Sequence, residues 1–199
     1  MKIAVHLAIS KPPFPELDAT VQDGMSIVNH HGGKLVYLYP QSKFIKLPKI
    51  MCGIHRISEI KFLEKNIDIH HIFSNELYPY PFLRFLRKPI VYTLVTGLDG
   101  IKVRKRQSAI LKKVAHFTVS SDYDKEIMRN LGYNNVSNLL PGIDISKFSF
   151  DPCEDTSKFI LLSASAPWTI EQFHSKGIEF LLKLVTELKW LNIIFLWRG

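Results

Sequence analysis

Short apolar runs alternate along this chain with stretches of helical spacing, and that alternation leaves few folds open to it. Residues 2–9 (Lys2-Ile3-Ala4-Val5-His6-Leu7-Ala8-Ile9) are almost continuously apolar, as in a parallel strand covered on both faces. Leu17, Val21, Met25 and Val28 keep helical spacing from Leu17 to His30, and Gly32-Gly33 supplies a stop. Strands are then predicted at Leu35–Leu38, Ile69–Phe73, Pro89–Leu94, His116–Val119 and Val136–Leu140. Helices are predicted at 56–65, at the basic stretch 104–114, and at Asp122–Asn130. Ser121 caps the last of these, Asp122 and Asp124 complement its dipole, and Gly132 ends it. The expectation is α/β: a Rossmann-like, doubly wound parallel sheet over residues 1–150.

After Asp151-Pro152 the pattern restarts. A strand at Phe159–Leu162 leads through a long loop to a helix opening at Lys176-Gly177, whose stripe is Ile178, Leu181, Leu182, Val185 and Leu188. Asn192–Trp197 reads as another strand. The stretch 151–199 is too short to sustain a core of its own. It is read as the start of an incomplete second Rossmann-like lobe that packs on the first or is completed by further residues or a partner chain.

No apolar run reaches the roughly 20 residues that cross a bilayer, and the N-terminal run lacks a small-residue cleavage site. Cys52 and Cys153 are isolated and have no CxxC context, which points to a reducing, cytoplasmic setting without a structural disulfide. Asn135-Val136-Ser137 matches the glycosylation triplet, which chance often supplies. The net charge is +8, and Lys102, Arg104, Lys105, Arg106, Lys112 and Lys113 concentrate it. Basic and apolar residues also mix at Lys43–Lys49 and at Phe82-Leu83-Arg84-Phe85-Leu86-Arg87-Lys88. These segments read either as a solvated face or as an attachment to an anionic membrane, peripheral at its inner face. No RRM, KH or zinc-knuckle signature supports nucleic-acid binding.

Asp122-Tyr123-Asp124 has the DxD form of a metal site, but the start of a helix explains both carboxylates. His30-His31 and His70-His71 lack zinc-site spacing, so no metal is expected. There is no GxGxxG, P-loop or GxSxG motif.

Two motifs remain. Leu139-Leu140-Pro141-Gly142-Ile143-Asp144-Ile145-Ser146-Lys147-Phe148 runs from a strand into a Pro-Gly turn and an acidic residue. Lys176-Gly177-Ile178-Glu179-Phe180-Leu181-Leu182 follows after one intervening strand. This order resembles the domain junction of GT-B glycosyltransferases, specifically the large retaining family 4. The resemblance implies transfer of a sugar from a nucleotide-sugar donor to a hydroxyl, on a glycan or lipid-linked acceptor, in glycan or glycolipid synthesis. It implies no metal and no cofactor beyond the nucleotide-sugar substrate.

By the same resemblance, Lys176 and Gly177 meet the donor diphosphate, although a Lys-Gly pair before a helix is also common as a solvated turn. Pro141, Gly142 and Asp144 fall at the interdomain hinge and cleft. The acceptor side falls to Glu16 and Asp18 after the first strand and to Thr96 and Gly97 after the fourth. Glu16 and Asp18 better suit the first turn of the next helix. The chain departs from the family in three places. Ala164-Ser165-Ala166-Pro167-Trp168 stands where a Gly-Arg pair is usual, Val95 stands where a His is usual, and the sequence ends before an acidic pair. Two alternatives stay open: a non-catalytic acceptor- or membrane-binding half that needs a second chain to complete the donor lobe, and a nucleic-acid-binding α/β domain.

Overall fold

The computed structural model describes residues 1–40, 48–98, 109–140, 142, 159–164 and 169–196. The chain divides into two compact units, Met1–Gly142 and Ile143–Gly199. Among its described residues the first holds six parallel strands: β1 (Ile3–Leu7), β2 (Gly33–Tyr37), β3 (Ile69–Ser74), β4 (Ile90–Leu94), β5 (His116–Val119) and β6 (Val136–Asn138). Their order in the sheet is β2-β1-β3-β4-β5-β6, an α/β, Rossmann-like arrangement. The near-continuous apolar run of β1 is buried at all five positions, as an interior strand of a two-faced sheet requires.

Side chains alternate between two core clusters, one on each face of the sheet. Ile3, Val5 and Leu7 join Phe73 and Val21 of α1 (Ala19–His31) on one face. Val36, Ile72, Tyr92 and Phe117 join Ile60 of α2 (Ile57–Leu63) and Met128 of α3 (Asp122–Asn130) on the other. The 3-10 turns Pro81–Phe85 and Leu111–Lys113 add Phe82, Leu83 and Leu111 to that second cluster. Gly33 opens β2 with φ 130°, and a Cβ there would stand 1.9 Å from the Ile3 carbonyl oxygen.

The sheet also carries polar chains on both faces. The His6 and His70 rings are fully buried and hydrogen bonded at 2.9 Å, and His70 Nε2 reaches Glu64 Oε1 at 3.0 Å. On the opposite face His71 Nε2 lies 2.7 Å from Thr93 Oγ1, which lies 2.5 Å from Thr118 Oγ1.

The second unit pairs β7 (Phe159–Ser163) in parallel with β8 (Leu191–Phe195) in a sheet of its own. Among the described residues two helices lie between them: α4 (Ile170–Ser175) and α5 (Ile178–Glu187). Ile160, Leu162, Ile194 and Leu196 are each about half exposed or more, so apolar positions of both strands face solvent.

Several boundaries differ from the sequence reading. Residues 101–108 lie outside the described residues, and the remainder of the expected 104–114 helix is a short 3-10 turn. The expected long loop before Lys176 contains α4, which Thr169 caps by accepting from the Gln172 amide. The strand expected to reach Leu140 stops at Asn138; Leu139 keeps one more bond, to the Val119 carbonyl, and its side chain is exposed.

Candidate functional site

In a doubly wound sheet, ligands sit beyond the carboxyl ends of the strands, where the loops open to solvent. At the carboxyl ends of β1 and β2 there is a cavity of about 240 Å³ lined by Lys11, Tyr37, Tyr39, Pro40, His55 and Arg56. Arg56 is a scaffold member. Its Nη1 donates to the Tyr37 carbonyl at 2.9 Å, and its Nε and Nη2 hold Glu59 at 2.7 and 2.6 Å. Lys34 donates to the same carboxylate at 2.9 Å. Burial opposes ionisation of Glu59, yet the bonds from Lys34 and Arg56 hold its carboxyl below the usual range.

The other lining groups are freer to meet a ligand. Among the described residues Lys11 has no hydrogen-bond or ion-pair partner, and it is exposed. Burial and then the neighbouring Arg56 lower the His55 imidazole below its ordinary value, so it is neutral at neutral pH. Burial raises the Tyr37 and Tyr39 phenols, which stay protonated as donors. Cys52, a buried free thiol whose Sγ donates to the Leu38 carbonyl at 3.9 Å, is pushed up to about 12 by burial. One ammonium, one neutral imidazole and two phenol rings suit a small polar ligand with an apolar face.

The residues named from sequence are distributed as follows. Asp18 is the N-cap of α1, its Oδ1 accepting from the Val21 amide at 3.0 Å, while Glu16 stands exposed in the 3-10 turn Pro15–Leu17. Thr96 and Gly97 are exposed beyond β4, separated from β1 by β3, and the Thr96 hydroxyl donates to the Asn75 carbonyl at 2.7 Å. Val95 packs against the cluster that α1 covers. Pro141, Asp144, Lys102, Arg104, Lys105 and Arg106 lie outside the described residues; Gly142 has open space around its α-carbon. Lys112 is exposed, whereas Lys113 is engaged: its Nζ donates to the carbonyls of Arg84 and Leu86 at 2.8 and 3.2 Å.

In the second unit, Lys176 closes α4 through its amide, which donates to the Gln172 carbonyl at 2.9 Å. Gly177 then turns the chain in the left-handed region at φ 70°, and α5 begins at Ile178 without a side-chain cap. A Cβ at Gly177 would meet no atom within 4 Å.

Of the carboxylates in Asp122-Tyr123-Asp124, that of Asp124 is engaged within the fold. Asp124 is buried; its Oδ1 accepts from the Leu98 amide at 2.7 Å and its Oδ2 from the Ser121 hydroxyl at 2.6 Å. It ties the loop after β4 to the start of α3. Among the described residues no group of three His, Cys, Asp or Glu side chains is placed to hold a metal. His30 and His31 are exposed at the end of α1. Asn135 of the glycosylation triplet donates to the carbonyls of Val114 and Ala115 at 2.8 and 2.9 Å.

The cavity residues Lys11, Tyr37, Tyr39 and His55 escaped the sequence reading because they come from three separated segments. Their only advance signal was position: Tyr37 lies within a predicted strand, Lys11 and Tyr39 follow predicted strands, and His55 precedes a predicted helix. No protein-family model matches the chain, and no curated protein matches it. Among the described residues no helix is long and apolar enough to cross a membrane.

Proposed function

We propose that the chain is a GT-B-type, family-4-like glycosyltransferase that takes a nucleotide-sugar donor and a hydroxyl acceptor on a glycan or lipid-linked glycan. The observation that carries this reading is the Lys176–Gly177 step. The cap residue contributes no side chain, so the first-turn amides of α5 and the helix dipole remain available to an anion beside an exposed lysine. A diphosphate is the ligand such a turn suits, and Gly177 lets it approach the backbone. When the sugar–phosphate bond breaks, Lys176 and the α5 amides stabilise the charge that develops on the departing diphosphate. Two tandem α/β units with separate parallel sheets agree with this reading. The acceptor side then draws on the cavity of Lys11, Tyr37, Tyr39 and His55.

A second reading has its own observations in its favour. The exposed apolar positions of β7 and β8 suit a half that a second chain completes, non-catalytic without it. Val95 and the engaged Thr96 hydroxyl agree with it, since neither offers a base to an acceptor. The expected behaviour of the purified chain is donor binding without turnover.

Thermal-shift screening against UDP, GDP, ADP and their sugars tests the proposal. A ligand at a hundredfold its Kd stabilises the folded form by about 2.7 kcal/mol. Lys176→Ala should remove most of the shift. The proposal falls if no nucleoside diphosphate raises the melting temperature, or if Lys176→Ala leaves the shift intact.

A further inference from the structure

A second cavity, of about 330 Å³, opens between the end of α2 and residues 87–88, lined by Lys61, Glu64, Lys65, Arg87 and Lys88. Its one carboxylate is turned inward. Glu64 Oε1 accepts from the Arg87 and Lys88 amides at 2.6 and 3.3 Å and is bonded to His70. The four cationic side chains are all exposed and have no ion-pair partner among the described residues. Beside them Phe62 is 64 % exposed and Phe85 is 48 % exposed. Lys61 Nζ stands 5.6 Å from the Phe85 ring centroid, and Lys65 Nζ stands 5.7 Å from that of Phe62.

The patch is held firmly from below. Phe82, Leu83 and Leu86 are buried in the core, and Lys113 staples the carbonyls of Arg84 and Leu86. Because Lys65 precedes β3 and Lys88 precedes β4, the patch lies at the amino ends of the strands. The carboxyl ends, with the cavity described above, stay open.

We propose that this face of the first unit docks on an anionic lipid bilayer, with Phe62 and Phe85 entering the headgroup boundary and Lys61, Lys65, Arg87 and Lys88 gathering phosphate headgroups. Unpaired cations around exposed aromatic rings give the charge and the apolar area that interfacial binding combines. A single-stranded nucleic acid is a poorer fit, because base stacking needs open ring faces and each ring here has an ammonium over it. The proposal is independent of the sugar-transfer reading. It also places the contact on residues other than the basic stretch Lys102–Arg106.

The test uses the whole 199-residue chain in vesicle co-sedimentation, with phosphatidylcholine alone and with phosphatidylglycerol added. The expected result is salt-sensitive retention by the phosphatidylglycerol vesicles only. Each cation near an anionic surface contributes about fivefold in partitioning, so Lys61→Glu with Lys65→Glu should weaken retention by about 25-fold or more. Phe62→Ser with Phe85→Ser should weaken it about tenfold. Phe85→Trp should give an emission blue shift on adding the same vesicles, a readout that a folding defect would not produce. All these positions are exposed, and an unchanged melting curve confirms each fold. Failure of the unaltered chain to prefer phosphatidylglycerol overturns the proposal. So does unchanged retention of the Lys61/Lys65 or Phe62/Phe85 variants. So does a Lys102→Glu, Arg104→Glu, Lys105→Glu variant that alone abolishes binding, or an oligonucleotide that binds the patch while vesicles do not.

Discussion

Mild acid should destabilise the first unit well before its carboxylates are protonated, because histidines sit inside the sheet. Burial, then His70, Arg56 and His71, push the His6 imidazole well below its ordinary value of 6.5, and among the described residues Nδ1 of that ring has no partner. Burial lowers His71 to about 4, and it also lowers His70, against the opposing pull of Glu64. The unfolded chain takes up protons on these rings as pH falls through 6.5, while the folded chain does not. Stability is therefore full above that value and falls as pH drops toward the folded pKa of each ring. A histidine that stays neutral contributes a slope of about 1.4 kcal/mol per pH unit, so His6 and His71 together remove about 4 kcal/mol between about pH 8 and about pH 5. Set against the roughly 5–15 kcal/mol that holds a domain folded, this is a large share.

Urea unfolding followed by circular dichroism over that pH range measures the slope directly. His71→Leu should remove one histidine's share, since Thr93 keeps Thr118 as a partner. A urea midpoint that does not move over the range, or a His71→Leu slope equal to that of the unaltered chain, would refute the argument.

Other expectations follow from single contacts. Asp124→Ala strands the buried Leu98 amide and should destabilise by about 2–4 kcal/mol in the same unfolding assay, while Asp124→Asn, which keeps one acceptor, should lose less than half of that. Gly33→Ala places a methyl against the Ile3 carbonyl at a φ that L-residues avoid, so a loss above about 3 kcal/mol, or no soluble protein, is expected. Leu162→Asp on the exposed side of β7 should leave the first unit's melting unchanged and reduce concentration-dependent association in sedimentation velocity.

The strands were legible in the sequence because a parallel sheet covered on both faces demands unbroken apolar runs; His116–Val119 and the Ser121-capped Asp122–Asn130 helix match residue for residue. α4 was missed although Thr169 and Gln172 form the start of a capping box, because no apolar stripe marks so short a helix. The buried pairing of His6 with His70 was also missed. Both rings sit within strand patterns, and only strand register sets His6 beside Ile72 and its ring against that of His70. Asp124 read as a helix-start residue, which it is, but its bond to Leu98 depends on a loop brought in from another strand. Local chemistry was visible; contacts between distant segments were not.

The place of β1 in the sheet bears on how the chain is made. It leaves the ribosome before both its neighbours, β2 and β3, and β3 begins only at Ile69. At roughly 5–20 residues per second, an apolar strand waits several seconds for its second partner. During that interval the nascent strand is sticky, and a chaperone that holds it would raise the yield of folded protein.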